Sequence, residues 1–290
     1  MTWQLDPDLL GLDGAVAFVT GGAQSIGRGA AVQLARAGCH VAIADVADPS
    51  ATVAEIEALG RRAIALDADL RHRDEVDEAV RRAAEVLGRL TVAVNTVGGT
   101  TAPKALLDLR PEDWEADAMR NEMTTLLCCQ AEAMAMIESG AGGSIVNIAS
   151  VSGVVGAPNA AGYGAANAGV ISLTKSAALE LAPYGIRVNC VVPGAHVTES
   201  TVRASGPDAD PALVAWMAAA ASAPPLGRLG QTSEAGGVVV FLASKLASYV
   251  TGHPIPCDGG ILHTTARPPI GMAMVPEAVT RLRDRPDRAG

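Results

Sequence analysis

The chain has 290 residues, of which 49% are hydrophobic and 18% are charged, and its formal net charge is −9. This length fits one large α/β domain or two small ones, with enough apolar material for a sizeable core. The acidic balance argues against a nucleic-acid-binding protein, which needs a basic surface. The five cysteines are scattered and include no C-x-x-C pair, which argues against a disulfide framework and against a metal site. We expect a protein of the reducing cytoplasm.

The ends of the chain and its longer loops indicate the domain organisation. The N-terminal stretch MTWQLDPDLLGLDG lacks the basic start and apolar core of a signal peptide, and no apolar run reaches the ~18 residues of a membrane span. No linker divides residues 14–262, so we predict one domain over residues 1–263. Within it, residues 194–225 are interpreted as a substrate lid. Residues 264–290 are interpreted as a tail, either mobile or docked on a partner subunit.

Short apolar runs alternate with helical patterns along the chain. Runs that are apolar on both faces predict buried parallel strands, and the amphipathic stretches between them predict helices. This alternation predicts an α/β fold with a doubly wound parallel sheet. A long helix is predicted from about Ala161, with shorter helices at about 212–221 and 233–242. The apolar runs are AVAFVT (15–20), HVAIAD (40–45), RAIAL (62–66), TVAVN (91–95), GSIVNIA (143–149) and GIRVNCVV (185–192).

A glycine-rich turn, TGGAQSIGRGAA, follows the first predicted strand. Its small residues let the backbone approach a pyrophosphate, and the following helix supplies N–H donors and a positive dipole. We therefore predict dinucleotide binding at Gly21, Ser25, Ile26 and Gly27. Asp45 ends the second predicted strand, where a carboxylate accepts hydrogen bonds from both ribose hydroxyls and repels a 2′-phosphate. This favours NAD(H) over NADP; the alternative is that Asp45 only starts a turn.

A strand-end hydroxyl and a phenol are predicted to converge after the fifth strand. Ser150 follows that strand and Tyr163 lies in the first turn of the long helix, so both can reach one small carbonyl or carbinol. A phenol, with a pKa near 10, becomes a useful acid or base when a cation on the same helix face lowers that pKa. The residue one helical turn beyond Tyr163 is the uncharged Asn167.

This arrangement resembles the Ser…Tyr-x-x-x-Lys core of the short-chain dehydrogenase/reductase family. The sequence matches at Ser150 and Tyr163 and has Asn167 in place of the lysine. In that family the lysine lowers the pKa of the tyrosine and hydrogen-bonds the nicotinamide ribose. Asparagine can still bond a ribose but supplies no charge. The glycine turn resembles the family's T-G-x-x-x-G-x-G, with Ser25 at the middle glycine.

The resemblance spans about residues 12–262 and implies a Rossmann-type, three-layer α/β/α fold of about seven strands. It also implies a small-molecule substrate and a homotetramer or homodimer, the tetramer forming through the fourth and fifth helices. The Ala/Gly-rich face of residues 160–178 suits such packing. Further residues that the resemblance places at the cofactor are Asp69 and Leu70 beside the adenine, Asn95, Val97 and Gly98 after the fourth strand, and Pro193, Gly194 and Thr198 in the nicotinamide loop.

Three further residues have more than one interpretation. His196 stands where the family has an aliphatic residue. It either contacts the carboxamide, acts as an acid or base near the substrate, or only packs or faces solvent. Asn121, the family's fourth catalytic position, either holds a relay water on its backbone carbonyl or is purely structural. Lys104 either binds an anionic substrate, lends its charge to Tyr163, or is solvated. Lys175 lies ~18 Å farther along the helix, at ~1.5 Å per residue, and is too distant to replace the missing lysine.

The resemblance implies hydride transfer at a secondary alcohol or ketone. Tyr163 is then the acid/base, Ser150 orients the oxygen, and Asn167 and Asn121 hold ribose or water. The segments VGGTTAPK and LLCCQAEAMAM are similar to the branch that oxidises cis-dihydrodiol carboxylates; a specialised metabolite is the other substrate class we expect. Asn167 leaves two alternatives open: a non-redox lyase, isomerase or cyclase, or a cofactor-binding protein. It is also compatible with an engineered substitution.

Overall fold

The structure, a computed structural model, describes residues 8–101, 103–140, 142–199 and 211–264. The chain alternates between strands and helices from its first strand onward. The strands are β1 (Val16–Thr20), β2 (His40–Asp45), β3 (Ala63–Asp67), β4 (Leu90–Asn95), β5 (Gly143–Ile148), β6 (Ile186–Pro193), β7 (His196–Val197), β8 (Gly230–Gln231) and β9 (Pro254–Cys257). The helices are α1 (Ser25–Arg36), α2 (Ser50–Ala58), α3 (Arg73–Leu87), α4 (Pro111–Ala118), α5 (Thr124–Glu138), α6 (Ala161–Leu181), α7 (Pro211–Ser222) and α8 (Thr232–Ala243).

Seven of these strands form one parallel sheet in the order β3-β2-β1-β4-β5-β6-β9. Helices α3, α5 and α6 pack on one face, and α1, α2 and α8 pack on the other. Every residue of β1 is buried, as expected for a strand covered on both faces. The structure confirms the predicted Rossmann-type doubly wound fold. β7 and β8 form a separate two-stranded parallel pair.

The strand order reverses between β1 and β4. From β1 the chain adds β2 and then β3 on one side of the sheet, and it then returns to add β4 on the other side of β1. In open α/β sheets such a switch point opens a crevice at the carboxyl ends of the strands. Helix α1 borders this crevice, and α8 lies against α1 from behind. Gly29 and Gly236 allow this contact, since a Cβ on Gly236 would lie 2.6 Å from the carbonyl oxygen of Gly29.

Two predicted segments lie partly outside the described residues. The predicted tail falls there from residue 265 onward, and so do residues 200–210 of the predicted lid. The short helix predicted within the lid is α7. Among the described residues, none of the helices combines the length and apolar character needed to cross a membrane. The same residues contain no group of three or more His, Cys, Asp or Glu side chains able to hold a metal ion.

Candidate active site

A cavity of about 420 Å³ opens at the carboxyl ends of β1, β2 and β4. It brings together residues predicted from separate parts of the sequence. An adjoining cavity of about 150 Å³ shares Asp45 and Val97 with it and adds Asp69 and Leu70. The predicted residues that line the larger cavity are Gly21, Ser25, Ile26, Gly27, Asp45, Val97, Gly98, Asn121, Tyr163, Asn167 and Thr198.

The turn between β1 and α1 is shaped by glycines. Gly21 has a φ of +65°, and a Cβ there would lie 2.8 Å from the Thr96 hydroxyl oxygen. A Cβ on Gly27 would overlap the carbonyl oxygen of Gly21. Ser25 adopts a φ of +54°, a left-handed conformation that costs a non-glycine residue ~1–2 kcal/mol. The cavity therefore meets bare backbone at Gly21 and Gly27, which suits the close approach of a dinucleotide pyrophosphate.

Two carboxylates line the cavities: Asp45 lines both of them, and Asp69 lines the smaller one. Asp45 is fixed by the backbone: its Oδ2 accepts from the N–H of Ala23 at 3.0 Å, and its Oδ1 accepts from the N–H of Ala47 at 2.9 Å. Asp69 accepts from the guanidinium of Arg71, with Nε at 2.9 Å from Oδ1. The hydrogen bonds from Arg71 lower the pKa of Asp69 to about 2. The smaller cavity therefore presents a negative carboxylate at Asp69.

The phenol of Tyr163 faces the cavity from the first turn of α6, next to Ser150 and Asn167. Ser150 is buried and its hydroxyl accepts from the backbone N–H of Ser152 at 3.1 Å. Asn167 is only 2% exposed, and its Nδ2 donates to the carbonyl oxygen of Tyr163 at 2.9 Å. Gly153 lets the loop after Ser150 press onto α6, because a Cβ there would be 3.0 Å from the Cβ of Asn167.

The electrostatic surroundings keep the Tyr163 phenol protonated. Burial raises its pKa above the ordinary value, and the negative charge of Asp117 acts in the same direction. Hydrogen bonding to Ser150 and Asn167 lowers the pKa but offsets only part of this shift. The structure thus shows the reverse of what a neighbouring lysine would do, since a cation favours phenolate.

Asn121 lies in a π-helical turn, Met119–Met123, between α4 and α5. Its side chain clamps the loop after β4: Oδ1 accepts from the N–H of Gly99 at 2.9 Å, and Nδ2 donates to the Gly99 carbonyl at 3.0 Å. Its backbone carbonyl accepts from the Thr125 hydroxyl at 2.7 Å. Asp117 adds a second clamp, with Oδ1 accepting from the N–H of Thr101 at 2.8 Å. Asn121 therefore positions this loop.

Besides Asp69 and Leu70, six predicted site residues do not line the larger cavity: Ser150, Asn95, Lys104, Pro193, Gly194 and His196. Asn95 is buried, and its Nδ2 donates to Asn147 and Glu132, each at 3.0 Å. Pro193 ends β6 and Gly194 follows it, and neither residue lines either cavity. Lys104 pairs with Asp113, its Nζ 2.6 Å from Oδ2. Its charge is thus committed to α4 and not to Tyr163.

His196 points into a different cavity, of about 220 Å³. Its Nδ1 donates to the carbonyl of Gly194 at 2.9 Å, and its Nε2 lies 3.9 Å from the sulfur of Cys257. The ring packs on Gly230, where a Cβ would be 2.7 Å from ring atoms. The packing interpretation of His196 fits this position, whereas contact with a carboxamide or substrate in the larger cavity does not.

Other residues of the site were not predicted from the sequence. Gln24, Thr96 and Arg120 also line the larger cavity. Glu199 places its carboxylate on Ser25, with Oε2 2.8 Å from the backbone nitrogen and 3.1 Å from the hydroxyl. The sequence signal for these residues is proximity: Gln24 lies within the glycine turn, Thr96 follows Asn95, Arg120 precedes Asn121, and Glu199 follows Thr198.

Known proteins resemble this chain over most of its length. A family model described as enoyl-(acyl carrier protein) reductase matches residues 21–262. The 3-oxoacyl-[acyl-carrier-protein] reductase of Synechocystis sp. is 38% identical over 257 residues, covering 87% of this chain and 98% of the relative. The chain belongs to the short-chain dehydrogenase/reductase family. Another relative in this group is the 2-dehydro-3-deoxy-D-gluconate 5-dehydrogenase of Escherichia coli, 35% identical over 87% of this chain and 96% of its own.

Solved structures agree with this assignment. Carveol dehydrogenase from Mycobacterium avium, in complex with NAD, has a TM-score of 0.79 and 31% identity, covering 87% of this chain and 99% of the other. Short-chain dehydrogenases/reductases are oxidoreductases that use nicotinamide cofactors. The bare backbone at Gly21 and Gly27 fits such a cofactor, because side chains at either position would occupy the turn.

Proposed function

We propose that this protein is an NAD(H)-dependent oxidoreductase that transfers hydride between the cofactor and a secondary alcohol or ketone. One observation carries the proposal: the glycine turn, Asp45 and Tyr163 all line one cavity of about 420 Å³. The nicotinamide, when bound, supplies or accepts the hydride. The phosphates would lie against Gly21–Gly27, and the carboxylate of Asp45 would accept from the adenosine ribose.

The preference for NAD over NADP rests on the charge of Asp45. Its two oxygens already accept from Ala23 and Ala47, which fixes the carboxylate where a 2′-phosphate would need to lie. The carboxylate of Asp45 and a 2′-phosphate, both negative, would repel each other. The NAD in the carveol dehydrogenase structure is consistent with this preference.

The proton chemistry favours carbonyl reduction near neutral pH. The Ser150 hydroxyl orients the substrate oxygen, and Tyr163 holds the proton that this oxygen acquires as it becomes a hydroxyl. Because the pKa of Tyr163 is raised, the phenol is in its donor form over the physiological range. Alcohol oxidation requires the opposite form, a phenolate that accepts the proton, and so becomes efficient only at high pH.

The substrate is a small alcohol or carbonyl compound, and its class is not shared among the relatives. One relative is named for a 3-oxoacyl-[acyl-carrier-protein] and another for a sugar acid, 2-dehydro-3-deoxy-D-gluconate. We propose a cis-dihydrodiol-like compound or a specialised metabolite, because of the local sequence similarity around residues 97–104 and 126–136. The loop after β4 is held by the hydrogen bonds from Gly99 to Asn121 and from Thr101 to Asp117. Gly99 and Tyr163 line the same cavity.

A non-redox reaction is the second candidate, and the raised pKa of Tyr163 is the observation that favours it. A phenol that stays protonated can donate a hydrogen bond or proton to a substrate without any hydride step. A lyase, isomerase or cyclase would use the same Ser150–Tyr163 pair in this way.

Cofactor binding and hydride transfer can be tested separately. We expect NADH to bind the wild-type protein in a fluorescence titration, and a panel of ketones to oxidise it, measured by loss of NADH absorbance. Tyr163→Phe should keep NADH binding and lose ~10²–10⁴-fold in turnover. If NADH binds but no ketone or alcohol changes its absorbance, the non-redox candidate replaces this one. If NADH does not bind, the dinucleotide site itself is refuted.

A further inference from the structure

Glu199 lies on the N-terminus of α1 although 174 residues separate it from Ser25. A single carboxylate oxygen, Oε2, accepts two hydrogen bonds there. The donors are the backbone N–H of Ser25 at 2.8 Å and its hydroxyl at 3.1 Å. Ser25, which Glu199 contacts, and Thr198, which precedes Glu199 in the chain, both line the larger cavity.

Helix α1 supplies no anion of its own at this end. Its N-cap residue Gln24 makes no side-chain cap hydrogen bond, and its first turn contains no acidic residue. The first N–H groups of a helix lack intrahelical partners and carry the positive end of the dipole. Glu199 satisfies one of these donors from a distant part of the chain.

Two features keep the Glu199 carboxylate anionic. Burial alone raises its pKa, but hydrogen bonds from its own backbone and from Ser25, with the nearby charge of Arg28, outweigh this and lower the pKa below the usual value. The second feature is the hydroxyl of Ser25. A glycine at this position of the turn, as in the family, would provide the backbone donor alone, whereas serine provides two donors despite its φ of +54°.

We propose that Glu199 is an intramolecular competitor for the phosphate-binding turn, so that the dinucleotide binds only when this carboxylate leaves Ser25. The inference rests on the proposed function, which places the cofactor phosphates at the same N-terminus. A phosphate and a carboxylate cannot share these donors, because both are anions and each needs the same N–H. The affinity of the free protein for the cofactor is therefore reduced by the fraction of molecules in which Glu199 is seated.

The competition links the cofactor to the chain that follows β7. Glu199 directly follows Thr198, which lines the cavity. Displacing Glu199 from Ser25 therefore moves the chain next to a residue of the cavity wall. Linkage is reciprocal, so a ligand that holds Glu199 away from Ser25 strengthens dinucleotide binding by the same factor. A substrate that binds only when Glu199 has left Ser25 is then expected to bind with positive cooperativity toward the cofactor.

The test measures NADH affinity and ligand-free thermal stability in the full-length protein. Glu199→Ala and Glu199→Gln should each lower the Kd for NADH by about tenfold or more, since a tenfold change corresponds to ~1.4 kcal/mol. Glu199→Ala should also lower the ligand-free Tm by ~2 °C or more, because α1 loses its anion. Glu57→Gln, which neutralises an exposed carboxylate on α2, is the charge-matched control and should change neither quantity.

The two readouts separate a seated carboxylate from simple charge repulsion. Tighter NADH binding with an unchanged Tm in Glu199→Ala would overturn the proposal, since repulsion alone explains it. An unchanged Kd in both variants would also overturn it. If the folded wild type and all variants fail to bind NADH, the proposed function fails, and that result is distinct from equal, measurable affinities.

Discussion

At the scale of single residues, Asn167 exchanges a charge for a local hydrogen bond. Its amide donates to the carbonyl of Tyr163, a bond within one turn of α6 that leaves the helix intact. What the site lacks is the attraction between an ammonium and a phenolate. At ~4 Å and an effective dielectric near 20 this attraction is at most ~4 kcal/mol, the equivalent of ~3 pKa units.

Restoring the cation should therefore move the pH profile in a defined direction. Below the pKa of Tyr163 the phenolate fraction, and with it alcohol oxidation, rises about tenfold per pH unit. In Asn167→Lys that pKa falls, so the pH of half-maximal kcat/KM for oxidation should fall by ~1–3 units. The measurement is kcat/KM from pH 6 to 11, with Asn167→Met as the uncharged control. Identical profiles in the lysine and methionine variants would show that Tyr163 is not the titrating group.

Asp45 is expected to set the choice of cofactor. Asp45→Asn keeps the size of the side chain and one oxygen for the Ala23 N–H, but removes the charge that opposes a 2′-phosphate. The ratio of the Kd for NADPH to that for NADH should fall about tenfold or more, measured by fluorescence titration. Asp48→Asn, at an exposed position three residues on, should leave the ratio unchanged. If Asp45→Asn also leaves it unchanged, the ribose lies elsewhere.

At the scale of elements, α5 is joined to the sheet through a buried polar cluster. Glu132 on α5 accepts from Asn95 on β4 at 3.0 Å, and Asn95 bonds Asn147 on β5 at 3.0 Å. Among the described residues, Glu132 Oε1 and Asn95 Oδ1 have no hydrogen-bond partner. Burial raises the pKa of Glu132 to about 8, because a charged carboxylate with one unpaired oxygen is costly in apolar surroundings.

This cluster predicts a pH-dependent stability. The folded protein keeps a proton on Glu132 that the unfolded chain, with a pKa near 4.3, releases. The stabilisation is complete below that pH and is lost as pH rises toward about 8, at up to ~1.4 kcal/mol per pH unit. Urea unfolding from pH 5 to 8 should show Glu132→Gln losing less stability over this range than the wild type. Glu138→Gln, exposed on the same helix, should follow the wild type; parallel slopes in all three would exclude Glu132 as the source.

At the scale of the whole molecule, the sequence predicted those features that are formed by residues close together in the chain. Buried strands carry their own apolar runs, and the glycine turn directly follows β1, so both could be predicted. His196 and Lys104 could not, because their positions depend on Cys257 and Asp113, partners that no pattern connects to them. The contact of Glu199 with Ser25 could not be predicted from the sequence for the same reason, since 174 residues separate them.

The oligomeric state also belongs to the scale of the whole molecule. We predict that subunits associate through α6, the helix that carries the Ala/Gly-rich face of residues 160–178. Its Ala/Gly-rich face is accompanied by Leu179, which is 79% exposed in the single chain. Ala168 is exposed on this helix, and Ala168→Glu places a charge where a second copy would pack. We expect a smaller assembly than the wild type in size-exclusion chromatography with light scattering. Ala51→Glu, at an exposed position on α2, should leave the mass unchanged; equal masses for all three would place the interface elsewhere.

The glycine contact between α1 and α8 has a consequence for how the protein tolerates cutting. Gly29 and Gly236 bring the two backbones together, so the helix that presents the phosphate turn rests on one supplied by the last part of the fold. A chain ended by a protease after Ser222 would retain every residue that lines the larger cavity, yet the turn would have lost its support. The right residues alone do not make the pocket; the part of the chain that carries α8 sets where the first helix lies.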